Sequence, residues 1–211
     1  IMAIIKANNN TLSSVTALPD AISTGGLVHL SGTTHTATAT LDFTTSGVLD
    51  FSKYKRYMIR VAGVKDNGSA SSAYFRMRVF NSGSIVDTGT NYKWVYHRHR
   101  LSSASTSASG STGSSYMDLG PSNYSGSATG MEHTYEIFVD FTPYYFTAVC
   151  TGVAYQHTST SALSIMNSAG AYYGHSTQTV DGIRMFMNTG SIEGRIDIYG
   201  LLNSIGNSAD W

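Results

Sequence analysis

From Ile192 to Gly200 the chain alternates without a slip. Ile192, Gly194, Ile196, Ile198 and Gly200 share one parity, and Glu193, Arg195, Asp197 and Tyr199 share the other. A period of two is the signature of a β-strand, with the first set buried and the second wet. The same pattern recurs through most of the sequence. His35–Phe43, Arg56–Gly63, Tyr74–Phe80, Tyr92–His97 and Tyr135–Phe141 all alternate, and residues 145–156, 180–188 and 192–201 continue the series. Turn residues separate the runs, as in Lys65-Asp66-Asn67-Gly68 and Asn81-Ser82-Gly83. Short alternating runs between such turns predict an all-β, antiparallel β-sandwich. No segment carries the 3.6 period of a long amphipathic helix, and Asp50–Tyr54 suits one helical turn.

Residues 1–24 follow neither period, and Pro19 excludes a central strand nearby. Ile4, Ile5, Leu12, Val15 and Leu18 make this stretch too apolar for a solvated tail. The expectation is an extended N-terminal arm, with those five side chains docking it on a partner. The organisation expected is thus an arm (1–24), a sandwich domain (25–202) and a C-terminal tail (203–211). Two long loops are expected within the domain, a Ser-rich one at 101–115 and a second at 157–179. Long loops inside compact domains are usually functional or disordered.

Charge narrows the partners. Charged residues make up 12% of the 211, with 13 basic and 13 acidic side chains. Nucleic acid and anionic membranes need a basic footprint, so neither is an expected partner. No stretch approaches the ~20 apolar residues of a membrane-spanning helix. Ile1–Lys6 lacks the pattern of a secretory signal, which predicts assembly in a cytoplasm. The single cysteine, Cys150, shares the parity of Phe146 and Ala148 and is expected to be a small core residue.

Chemistry is sparse. His97 and His99 would share a strand face, but Arg98 and Arg100 flank them and no third ligand is near, so no metal site is expected. Glu136, Asp140, Glu193 and Asp197 fall on wet faces, where pairing with arginine is the usual role. No nucleophile elbow, Walker loop or dinucleotide fingerprint occurs, so neither catalytic residues nor a cofactor are expected. The 14 tyrosines are the better functional hint. Tyr116, Tyr124, Tyr172 and Tyr173, with His175, read as lying in or beside loops, where exposed aromatic rings stack on sugars or anchor a protein.

Three stretches together resemble a family of small β proteins of tailed-bacteriophage particles, many from marine and cyanobacterial hosts. They are residues 2–19, then Leu41-Asp42-Phe43 with Tyr54–Val61, and Asp181–Gly190 running into Arg195–Leu201. The resemblance spans the ends and the first half, and fades over 101–180. It implies a jelly-roll-like structural protein of the virion, either capsid decoration or a tail appendage. On that footing the expected partners are a major capsid or tail protein, bound by the arm, and the chain itself, as a homotrimer. A host-receptor or glycan-binding fibre tip is the alternative, with a host surface glycan as its ligand. A hydrolase with a cleft lined by two carboxylates is a more remote one.

Overall fold

The computed structural model describes residues 26–66, 73–101, 104–122, 131–141, 145–156, 163–173 and 179–202. They form the strands β1 (Leu27–Thr38), β2 (Thr40–Thr44), β3 (Tyr54–Asp66), β4 (Ala73–Asn81), β5 (Ser84–Ile85), β6 (Tyr92–Arg100) and β7 (Ser105–Ser114). The series continues with β8 (Met117–Ser122), β9 (Met131–Phe141), β10 (Tyr145–Gln156), β11 (Ser164–Tyr173), β12 (Val180–Met187) and β13 (Ile192–Leu202). The chain is all-β, and its two antiparallel sheets pack as a sandwich. The expected turn at Asp50 is present, since its carbonyl accepts from the Lys53 and Tyr54 N–H groups at 3.2 and 2.9 Å. The arm residues Ile4, Ile5, Leu12, Val15 and Leu18, and the tail 203–211, lie outside the described residues.

The larger sheet has eight strands in the order β1-β13-β3-β9-β10-β11-β6-β7. The smaller runs β2-β12-β4-β5, with β8 also pairing β4. Four strands of each sheet, β1-β13-β3-β9 and β2-β12-β4-β8, follow the jelly-roll order. In it β1/β2, β3/β4, β8/β9 and β12/β13 are consecutive strands that change sheets. The other large-sheet strands, β10, β11, β6 and β7, come from two insertions and extend the sheet beyond β9.

The core follows from the alternation. Tyr57, Ile59 and Val61 of β3, Tyr135, Ile137 and Val139 of β9, and Phe146 and Ala148 of β10 face Phe75, Met77 and Val79 of β4 and Ile183 and Met185 of β12, all at 1% exposure or less. Burying a side chain of this size stabilises by about 1.5–3 kcal/mol. Cys150 lies among them, 1% exposed and unpaired. Burial pushes its thiol up to about 12, against an opposing Ser168 hydrogen bond, so it is an inert core residue at neutral pH. Tyr92 of β6 clamps the two sheets together. Its hydroxyl accepts from the buried Val79 N–H at 2.9 Å and donates to the Val86 carbonyl at 2.8 Å.

Four sequence expectations are corrected. The Ser-rich stretch at 101–115 is not a loop, because residues 105–114 pair with β6 as an edge strand. Backbone hydrogen bonds outweigh its low-complexity composition. The 157–179 stretch is not one loop either, since 164–173 forms β11 between β10 and β6. The run His35–Phe43 is two strands, divided at Ala39 so that β1 serves the large sheet and β2 the small one. In β3 the parity slips by one. Gly63, at φ 63°, is a bulge residue opposite Gly194, at φ 133°, so Val64 rather than Gly63 resumes the buried face. A Cβ on Gly194 would stand 2.6 Å from the Gly63 carbonyl oxygen, which explains a glycine inside the otherwise regular β13.

Candidate interaction face

Strands β10 and β11 carry no charge on either face, while β9 and β6 each set one apolar residue, Phe138 and Val95, on an otherwise polar outer side. The inner sides complete the core. On the outer side the register sets one residue from each strand into rows. One row crosses all eight strands of the large sheet: His29, Tyr199, Met58, Phe138, Val149, Ala169, Val95 and Gly110. From β9 to β6 the row is both apolar and exposed. Phe138 is 42% accessible, Val149 55% and Val95 44%. Val153 and Ile165, paired in register four residues along, are 39% and 40% exposed. At the other end Tyr145 pairs with Tyr173, ring centroids 5.6 Å apart in an edge contact, and Lys93 Nζ lies 4.8 Å from the Tyr173 ring. Scattered exposed apolar residues are ordinary, but a contiguous apolar patch on a sheet face marks an interaction site.

Charged rows flank the apolar one. On one side the register runs Arg56, Asp140, Thr147, Ala171, Lys93. Arg56 Nε donates to Asp140 at 2.8 Å. On the other side it runs Asp197, Arg60, Glu136, Thr151, Asn167, His97. The Thr151 hydroxyl donates to Asn167 at 3.0 Å, while Glu136 forms no ion pair among the described residues. The exposed acids therefore sit on β9 and the exposed bases Lys93, His97 and His99 on β6, with two apolar strands between. A shallow groove of about 250 Å³ indents this face between Arg60, Thr134, Glu136, Thr151 and Val153.

Asp197 departs from its expected wet position. It is 7% exposed, held by Arg195 at 2.6 Å and by His29 at 3.3 Å. The Arg195 hydrogen bond keeps its carboxyl below the usual range against opposing burial, with His29 adding to the effect. Three further aspartates are tied as well. Asp42 accepts from Arg184, Asp118 from Arg76, and Asp181 from the Gly83 N–H at 2.6 Å each or slightly longer. Among the described residues no three histidine, cysteine, aspartate or glutamate side chains group to hold a metal.

The structure divides the expected loop residues. Tyr173 is exposed, at the end of β11, and joins the apolar face. Tyr172 is not on a loop: it is fully buried in β11, its ring 5.1 Å from that of Tyr92, because its parity points into the core. Tyr116 is half-buried between β7 and β8, under the Arg76 guanidinium at 3.8 Å. Tyr124 and His175 lie outside the described residues. Phe138, Tyr145, Val149, Ile165 and Val95 escaped the sequence reading. Their signal was present, as the second parity of 145–153 reads Tyr145, Thr147, Val149, Thr151, Val153, with no charge on the side assigned to water. Compared with protein-family models, curated proteins and solved structures, the chain has no match.

Proposed function

We propose that this chain is a structural protein of a tailed-phage particle, a capsid-decoration or tail-appendage protein that assembles through the outer face of its large sheet. The observation that carries the reading is the eight-strand row, which is apolar and exposed from β9 across β10, β11 and β6. Its support is the resemblance of residues 2–19, 41–43 with 54–61, and 181–190 with 195–201 to phage-particle proteins, and a surface of low charge density. In this reading the arm, through Ile4, Ile5, Leu12, Val15 and Leu18, docks on the capsid or tail. Deleting residues 2–20 is expected to abolish co-sedimentation with particles and to leave the thermal unfolding of the sandwich unchanged. Particles that retain the truncated chain refute the arm's role.

The Tyr145–Tyr173 pair beside Lys93 favours a second reading, a sugar-stacking site on a host-facing appendage. On a glycan array it predicts binding that is lost in Tyr145→Ala and Tyr173→Ala but kept in Tyr116→Ala. A silent array rejects it.

A further inference from the structure

The extended sheet is arranged as if to meet itself. Take a two-fold axis lying between two facing large sheets, parallel to the strands and centred on the β10–β11 boundary. It keeps every cross-strand row in line and sets β9 of one copy over β6 of the other. The residues then facing one another follow from the register alone. Phe138 meets the second copy's Val95, and Val149 meets its Ala169. Large side chains thus oppose small ones along the apolar row. In the flanking rows Asp140 meets Lys93 and Glu136 meets His97, acid against base at both places.

The other face-to-face two-fold, with its axis along the Phe138 row, gives the opposite result. It sets β9 over β9, which brings Glu136 against Asp140 and His97 against Lys93. The carboxylates of Glu136 and Asp140 directly opposed cost energy, so charge complementarity selects the strand-parallel axis. Stacked sheets in sandwiches keep their strands within about 30° of each other, so the arrangement repeats outside the molecule the packing found inside it. Four strands at ~4.8 Å and nine residues at ~3.3 Å give a footprint of roughly 500–600 Å² per copy. Two such footprints bury on the order of 1,000 Å², the lower end for a specific interface, which predicts a concentration-dependent association.

We infer that a second copy of this chain covers the β9-β10-β11-β6 face, related by a two-fold axis parallel to the strands. The inference rests on the proposed reading of that face as an assembly surface, and it replaces the homotrimer expected from resemblance with a dimer for the free chain. The decisive probe is a cysteine pair, Phe138→Cys with Val95→Cys. Within one chain these positions are three strands apart, roughly 14 Å, whereas facing sheets stand about 10 Å apart, beyond the ~7 Å of a disulfide but within reach of a short bifunctional thiol reagent. Across the axis they face each other.

The full-length chain is expected to move from one to two monomer masses in sedimentation as its concentration rises. A bifunctional thiol reagent too short to span ~14 Å is expected to join the double variant into a covalent dimer on a denaturing gel, and to give none with Phe138→Cys alone. Val149→Lys, which puts a charge at the centre of the face, is expected to weaken dimerisation at least about tenfold. A monomer at every concentration, a mass of three, or cross-linking by Phe138→Cys alone overturns the inference. Particle co-sedimentation of the same variants separates it from the reading beneath it. A monomeric wild type whose Val149→Lys variant is lost from particles refutes the dimer and keeps the assembly face. A dimer whose Val149→Lys variant stays on particles keeps the two-fold and refutes particle attachment through this face.

Discussion

Tyr92→Ala is expected to lower the free energy of unfolding by about 5 kcal/mol. Removing a buried aromatic ring costs about 3–5 kcal/mol in lost burial and the cavity left behind. Tyr92 is fully buried, and its ring lies 5.1 Å from that of Tyr172, so the surroundings have little room to collapse. The hydroxyl adds a second loss. It is the acceptor for the Val79 N–H, which lies inside the sandwich with no water to replace it. A buried donor left unpaired costs about 1–3 kcal/mol. Tyr92→Phe isolates that part and is expected to cost about 2 kcal/mol. Domains of this kind are stable by only about 5–15 kcal/mol, so the alanine variant forfeits a third or more of the total. Urea denaturation of both variants measures the two losses. An alanine variant within about 2 kcal/mol of wild type would show that the clamp between β6 and the small sheet is dispensable.

Asp118→Ala is expected to cost about 3–4 kcal/mol, because it strands a charge rather than opening a hole. Arg76 Nε donates to Asp118 at 2.7 Å, and the two side chains are 18% and 6% exposed. Without the carboxylate, the guanidinium keeps only the rings of Tyr116 and Tyr74, 3.8 and 5.5 Å from its carbon. Replacing both partners, Arg76→Met with Asp118→Leu, is expected to recover most of the loss, since an apolar pair leaves no charge unpaired.

The same aspartate has a signature in acid. Burial pushes the Asp118 carboxyl up, and Arg76 pulls it only partly back. A carboxyl raised in the fold stabilises it fully below the unfolded value near 3.9, and that contribution fades as pH rises through the folded value. Asp197 is lowered by Arg195 and behaves in the opposite way. Its contribution is present above about 3.9 and is lost as pH falls through its folded value. In a pH series of unfolding free energies, Asp118→Asn is expected to remove a declining component just above pH ~3.9. Asp197→Asn is expected to remove a rising one below it. Equal slopes in all three proteins would contradict both assignments.

Alternation made most of this architecture legible before any coordinates. The buried sides of β3, β4, β9, β10 and β13 follow from parity, and so does the place of Cys150. What parity does not carry is pairing. β7 is written in serine, threonine, glycine and alanine, and it is a strand because β6 offers it a ladder. β11 reads as a loop because Ser164, Ser168 and Gly170 interrupt its apolar side, although Ser168 satisfies its buried hydroxyl on the Leu119 carbonyl at 2.9 Å. The bulge at Gly63 shifted the buried face by one residue, a change visible only once β13 and β9 are set beside it. The interaction face stayed hidden for the same reason. Phe138, Val149 and Val95 come from three separate runs, and only the register joins them in a row.

The strand order also dictates when this protein becomes whole. β13 fills the gap between β1 and β3, and β12 fills the gap between β2 and β4. Both sheets therefore wait for residues 180–202, long after their neighbouring strands have left the ribosome. At 5–20 residues per second that interval is on the order of ten seconds. Throughout it β1, β2, β3 and β4 each present an open backbone edge, the condition under which strands pair with the wrong chain. Until β13 arrives, those edges need shielding from other chains. Slower translation of residues 82–179 lengthens that interval and should then lower the soluble yield.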